Sequence, residues 1–496
     1  MRRTRIAGGL GSAAVSAVAL SLAVGGPASA AGVPPPAVIH VGQIDRQDIA
    51  PQPNSEPDTV TEPDVAVSPV NRSIAVSVAQ DGRYLTGGAV TNNYSWTHDG
   101  GRTWHHRPLP HLSKPQGGAF DGASDPVVAF GPDGTVYAAS LLTSATCPNA
   151  VAVSKSTDGG RTFGGPVIVD SDPTCDNSHT DDKEEIAVDT SRTSPHHGRV
   201  YVFYTSISDG TGSAPAGSPQ IVRWSDDHGR HWSAPVRVTA PTYFTQGAQP
   251  MLQADGTITI SYFDYGTSSA EKDATGLAPH GAGVTPHAAG VAPHAATAPV
   301  IYKIRARTSY DGGATWTGAA HISSYIGYGP GDVRCCIPPG TADPVTGRMY
   351  AAWNGVDPSK VFLSYSDDGR HWSPAKQVNT NYKANLTHVN VDVAAYGGKV
   401  FVFYGTRDQD RQSGRYVQYQ VSTSYDKGAT FGPAVSLGPA ANLKYAAIGS
   451  GKPFPGDYMG SAATSGRLYL AWCVSSRPKD PTATYHQVAY GAVLRF

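Results

Sequence analysis

Six times the chain writes nearly the same eight residues. They are THDGGRTW ending at Trp104, STDGGRTF at Phe163, SDDHGRHW at Trp232, SYDGGATW at Trp316, YSDDGRHW at Trp372 and SYDKGATF at Phe431. Each copy has an Asp five residues before the aromatic and a Gly three before it, giving Asp99, Asp158, Asp227, Asp311, Asp367 and Asp426. Five copies also carry Ser or Thr seven before it; the fifth has Tyr365 there. These residue types suit a tight turn. The carboxylate accepts hydrogen bonds from turn N–H groups, glycine takes the positive φ that other residues resist, and the ring folds back onto the hairpin. One match is chance, but six in order require a repeated β-hairpin.

A second phrase alternates with the turns: apolar strand, short turn, apolar strand, as in PDVAVSPVNRSIAVSVA and HVNVDVAAYGGKVFVFYGT. There are seven such phrases to six turns, and after the last comes one more strand, TYHQVAYGAVLRF. This predicts an all-β chain: a β-propeller of seven four-stranded blades, or six if one phrase is not a blade. The missing outer strand is expected from AVIHVGQI in the N-terminal segment 31–60, which would close the ring. A β-sandwich explains alternating strands but not a repeat with a fixed internal order. At 496 residues the chain is too long for one ordinary core, which also favours a repeat architecture. Its many turn formers, 56 Gly and 39 Pro, fit short strands.

Residues 1–30 have a basic start, a small-apolar middle and an A-x-A end, the pattern of a secretory signal with cleavage expected after Ala30. The Arg2–Arg3 pair also permits the twin-arginine route, although general export is the simpler expectation. A secreted, extracellular protein with no membrane attachment after cleavage follows, its propeller spanning 61–496. Removing Arg2, Arg3 and Arg5 from 38 basic residues leaves 35 against 39 acidic ones, so nothing marks a nucleic-acid or anionic-membrane partner. In an oxidising compartment Cys147 and Cys175, which flank the second turn, are the pair expected to bridge. Cys335 and Cys336 form either a vicinal ring or bridges elsewhere, and Cys473, in the apolar run RLYLAWCV, is expected to be a buried thiol.

Two further segments are chemically conspicuous. The acidic run Asp170–Glu185 offers oxygen ligands for Ca²⁺ but lacks the EF-hand order, so a solvated acidic loop is the expectation and no cofactor is predicted. His280, His287 and His294 recur every seven residues inside 276–298, where Ala, Pro and Gly point to a flexible insertion rather than a metal site.

The six turns resemble the Asp-box, or BNR, repeats of the sialidase superfamily, across nearly the whole chain from about Thr61 to Phe496. The resemblance implies a carbohydrate-active propeller acting as a monomer on a glycan or polysaccharide, an exo-α-sialidase-like glycosidase. It places the Asp turns away from the active face. At the opposite mouth, where inner strands begin, it implies Tyr458 as nucleophile beside Asp457, with Glu184 or Glu185 as its partner and Asp125 or Asp64 as acid. Arg334, Arg407 and Arg477 would clamp a substrate carboxylate. Where the family carries Phe/Tyr-Arg-Ile-Pro in its first blade, this chain has TEPDVAVSP. A non-catalytic glycan- or protein-binding propeller and a polysaccharide lyase using Tyr458 or His388 are the alternatives.

Overall fold

The computed structural model describes residues 35–496 except 86, 145–148, 172–179, 211–213, 267–300, 327–331, 381–382, 384 and 411–413. The Cys147–Cys175 pair and the His280–His294 run fall outside the described residues. Among the described residues, no helix is long and apolar enough to cross a membrane.

The β-strands form successive antiparallel groups of four, a propeller-like arrangement. The first group comprises Val60–Val67, Ala75–Arg83, Ala89–Thr97 and His105–Pro108. The following groups begin with Gly122–Phe130, Thr180–Val188, Phe244–Leu252, Gly340–Ala342, Leu386–Tyr396 and Gly460–Thr464. We call these sheets one to seven. Ala89 and Ala123 bridge the first two, and sheet six carries an extra short strand, Ala441–Asn442. Each first strand lies beside the next, and that of sheet seven lies beside that of sheet one. Sheet seven takes its outermost strand from the start of the described chain, Ala37–Asp45, which pairs antiparallel with Gln487–Arg495.

The apolar core is divided among the seams between neighbouring sheets. Val76, Val78 and Trp96 of sheet one pack on Val128, Phe130 and Ala138 of sheet two. At the last seam Tyr469 and Val493 of sheet seven pack on Val65 and Ala75 of sheet one. A strand buried on both faces reads as a near-continuous apolar run, as in the Val-Phe-Val-Phe-Tyr stretch at 400–404.

The Asp turns belong to these seams. In the second, Ser156 Oγ donates to Asp158 Oδ1 at 2.7 Å, the Thr162 N–H donates to the same oxygen at 3.0 Å, and Thr162 Oγ1 donates to Oδ2 at 2.6 Å. The turn does more than close its own hairpin. A Cβ on Gly160 would lie 2.2 Å from Val76 Cγ2 in the preceding sheet, and one on Gly101 would lie 2.4 Å from Val493 Cγ2 of sheet seven. Phe163 enters the seam between sheets one and two, and Phe431 that between five and six. The seam between six and seven has no such turn; there Phe496 packs on Phe401 at a ring-centroid distance of 4.5 Å.

The fifth turn corrects the sequence expectation by one residue. Asp368, not Asp367, accepts from Ser366 Oγ at 3.1 Å and from the N–H groups of Arg370 and His371 at 2.9 and 2.8 Å. Asp367 pairs with Arg348 at 2.7 Å. The Ser-to-Asp spacing that the hydrogen bonds require is kept, and the turn is one residue shorter after it.

Gly160→Ala should destabilise by about 2–4 kcal/mol, because φ of +87° and the Val76 methyl both oppose a Cβ. Asp158→Ala should cost about 1–2 kcal/mol in lost turn hydrogen bonds. Urea unfolding of the two variants tests that order.

Candidate functional site

In five sheets the first strand slips against the second at the same place, two residues facing one. The slips span Thr61/Asp64, Ser124/Val127, Asp182/Glu185, Gln246/Gln249 and Val389/Asp392. The residue after each slip begins has positive φ: Glu62 at 53°, Asp125 at 50°, Lys183 at 43°, Gly247 at 70° and Asn390 at 46°. Only one is glycine. Left-handed backbone at a non-glycine costs about 1 kcal/mol or more per residue. Bulges of this kind re-aim side chains and concentrate beside active sites. Here they turn charged groups of several sheets toward one centre.

Sheets five and seven lack this early segment and fill the centre differently. The N–H of Ile337 donates to the Asp457 carbonyl at 2.8 Å, and the N–H of Asp457 donates to Glu62 Oε1 at 2.8 Å. Asn390 Nδ2 donates to the Gly456 carbonyl at 2.7 Å. Cys335 and Cys336, just before Ile337, form the vicinal disulfide, and Cys473 is a buried free thiol.

Tyr458 reaches from sheet seven to the far side. Its hydroxyl donates to the Pro126 carbonyl at 3.2 Å, and the Lys183 ammonium sits 4.1 Å above its ring. Burial, then the charges of Glu62, Asp125, Glu184 and Glu185, push its phenol well above the usual range. Lys183 is itself buried, 2.6 Å from Glu185 Oε1 and 3.1 Å from the Glu184 carbonyl. Burial would favour its neutral form, but Glu185 and then Asp125 and Glu184 outweigh this and keep it charged. Gln80 Nε2 bridges Glu62 and, at 3.3 Å, Asp125. The Arg334 guanidinium pairs with Asp457 at 2.8 Å and, with that of Arg83, flanks the Phe454 ring at 4.8 and 4.2 Å.

Below the bulges a cavity of about 180 Å³ opens among the first strands, lined by Asp64, Glu185, Gln249, Asp392, Tyr458 and Ser461 among others. Burial, then the charge of Glu185, raises the Asp64 carboxyl to about 7, despite bonds from the Val128 and Val65 N–H groups at 2.9 and 2.8 Å. Asp392 is raised well above the ordinary value by burial. Glu184 is raised by burial and then by Asp125, and neither of its buried oxygens has a hydrogen-bond partner.

Of the residues singled out in sequence, Asp125, Glu184, Asp457, Tyr458 and Arg334 converge on the bulge layer, and Asp64 faces the cavity beneath. Two expected clamp arginines do not join them. Arg407 is buried against Asp332, at 2.7 and 2.9 Å, and the Gly414 carbonyl; Arg477 is exposed. Arg407 stands near the end of the second strand Lys399–Asp408 and Arg477 just beyond the second strand Arg467–Ser475, where neighbouring loop residues decide which way a long side chain turns. His388 is also no candidate base. It is buried between Thr406, Ser359 and Asn379, and burial lowers it to about 4. In the acidic run, Asp170 pairs with Arg223 at 2.5 Å and Asp182 accepts from Gln246 at 2.9 Å, so these carboxylates serve protein partners. Sequence reasoning missed Lys183 and Asp392. Asp392 shares its register with Asp64 and Glu185, and it is a polar residue inside the apolar run HVNVDVAAY.

These shifts set a pH dependence. Glu56, Asp64 and Asp81 are each raised to about 7, chiefly by burial. A carboxyl raised in the folded state adds stability below its unfolded value near 4, and that contribution is lost as pH climbs through 7. The melting temperature should therefore fall from pH 6 to pH 8 in metal-free buffer. The turn carboxylates do not titrate in that window. Hydrogen bonds from Thr103, outweighing what burial adds, hold Asp99 below the usual carboxylate range. A melting temperature flat or rising from pH 6 to 8 would contradict the assignment.

No protein-family profile matches the chain, and no curated protein does. Among solved structures it is similar to a Hadza microbial sialidase, Hz136, at 14% identity and a TM-score of 0.46, over 83% of this chain and 75% of that one. A Penicillium chrysogenum α-L-arabinanase complexed with arabinobiose gives 12% identity and 0.45, over 83% and 99%. A polysaccharide lyase of family PL25, an ulvan lyase, gives 11% and 0.46, over 87% and 92%. Likenesses this weak assign neither substrate nor activity.

Proposed function

We propose that the chain is a secreted seven-bladed propeller, closed by its N-terminal strand and punctuated by Asp-box turns, that hydrolyses glycosidic bonds at the end of an extracellular glycan. The observation that carries the proposal is the half-buried carboxyl pair Asp64 and Glu185 facing one cavity. Most glycoside hydrolysis uses two carboxyl groups in different protonation states. Asp64, raised to about 7 by burial and by Glu185, is still largely protonated in mildly acidic solution and would act as the acid. Glu185, 2.6 Å from the Lys183 ammonium, would act as base or nucleophile. A cavity of about 180 Å³ is smaller than the roughly 300–1,000 Å³ of ordinary ligand pockets and suits a chain end.

The charge balance favours a neutral sugar. Even with the raised Asp64, Glu184 and Asp392 holding their protons, Glu62, Asp125, Glu185 and Asp457 stand beside Arg83, Lys183 and Arg334, so the centre offers no excess of cations to an acidic sugar. One observation favours a sialoside or uronate instead: Arg83 is buried with Nη1 unpartnered, next to Arg334. The mature protein should be assayed on neutral furanosides and pyranosides, a sialoside and uronate polysaccharides. Turnover of a neutral glycoside that survives Tyr458→Phe supports the carboxylate pair. Sialoside turnover lost in that variant supports a tyrosine nucleophile. No turnover on any substrate eliminates the hydrolase.

A further inference from the structure

A second charged cluster lies away from the cavity, where the N-terminal strand meets sheet one. Asp45 ends that strand, Asp48 follows it, Asp81 stands on the second strand of sheet one, and His106 on its fourth. His106 Nδ1 is 2.6 Å from Asp48 Oδ2 and 3.6 Å from Asp45 Oδ1, and one ligand atom from each of the three residues lies within 4.8 Å of the others. Donors on one tetrahedral Zn²⁺, each about 2.0–2.2 Å from it, stand roughly 3.3–3.6 Å apart, and the His106–Asp45 separation of 3.6 Å matches that spacing.

Acidic groups alone do not make a cation site, but two of these are also buried with an oxygen unused. Asp45 is 2% exposed and Asp81 0%. Asp45 Oδ1 accepts from the Arg46 N–H at 2.8 Å and Asn93 Nδ2 at 3.3 Å, while Oδ2 has no partner. Asp81 Oδ2 accepts from the Asp48 and Ile49 N–H groups at 2.8 and 3.1 Å, while Oδ1 has no partner. Unmet buried carboxylate oxygens are costly. Nothing in the proposed glycosidase chemistry uses them.

We infer that Asp45, Asp48 and His106, backed by Asp81, bind one divalent transition-metal ion that clamps the N-terminal strand to sheet one. An imidazole beside carboxylates selects a first-row ion such as Zn²⁺ or Mn²⁺ over Ca²⁺, and Zn²⁺ should bind more tightly than Mn²⁺. The ion would join the two ends of the chain, since Ala37–Asp45 is bonded to the C-terminal strand.

The test is titration of tag-free, EDTA-stripped mature protein with Zn²⁺, Mn²⁺ and Ca²⁺ by calorimetry and thermal melting. The expected result is one saturable equivalent of Zn²⁺, a melting temperature that rises with it, and Mn²⁺ weaker. His106→Ala and Asp48→Asn should each abolish saturable binding while melting like the stripped wild type, and Asp81→Asn, which changes only the backing residue, should weaken it roughly 10- to 100-fold. Replacing His280, His287 and His294 together should leave the equivalent intact. Loss of binding in that triple variant, unchanged binding in His106→Ala, preference for Ca²⁺, or no saturable binding would each overturn the inference.

Discussion

Asp64→Asn should lower kcat/KM on the best glycoside by roughly 10²- to 10⁴-fold, the usual contribution of a positioned acid. The fold should hardly notice. Asn keeps the shape and one acceptor but turns an N–H pair toward the second backbone donor, losing about 1 kcal/mol. It also removes a carboxyl whose ionisation the site disfavours. These effects oppose each other, so the melting temperature should stay within about 3 °C of wild type. The wild-type profile of kcat/KM should fall on its alkaline side near pH 7, and Asp64→Gln should be as inactive. A variant with normal activity, or an alkaline limb far from 7 with the same substrate, would remove Asp64 from the chemistry.

The largest effect on stability should come from Lys183→Met. Methionine keeps the apolar stem and takes the same φ of 43° at similar strain, so the change isolates the charge. Lys183 is 1% exposed and lies between Glu185, the Glu184 carbonyl and the Tyr458 ring. Removing one partner of a buried pair costs about 3–5 kcal/mol, because the remaining charges stay buried and uncompensated. The loss should be greatest at pH 8, where neighbouring carboxyls are forced toward ionisation, and smaller at pH 5, where they take up protons. Urea unfolding at both values checks this. A cost below about 1 kcal/mol at pH 8 would mean that the carboxylates are neutral already and that Lys183 is not their counter-charge.

The limits of sequence reading show at particular residues. Counting back five residues from Trp372 points to Asp367 in the fifth turn. The hydrogen bonds instead run forward from Ser366 and choose Asp368. Arg407 and Arg477 stand at comparable ends of second strands, yet one is locked on Asp332 and the other points into solvent. Strand register says where a Cα lies; it does not say which partner a long flexible side chain finds. The pairing of Asp64 with Glu185 was invisible for a related reason. More than a hundred residues separate them, and only the side-by-side packing of successive first strands brings both to one cavity.

The sequence by itself determined the local units. Asp, Gly and aromatic at fixed offsets close a hairpin through hydrogen bonds within a few residues, and alternating apolar phrases require paired strands. Such interactions depend on near neighbours, so their pattern is written along the chain. Tertiary structure alone decided which charges meet, which carboxyls keep their protons, and that the turns bind sheet to sheet. Those outcomes depend on burial and on distances between residues from different sheets, which linear order does not encode.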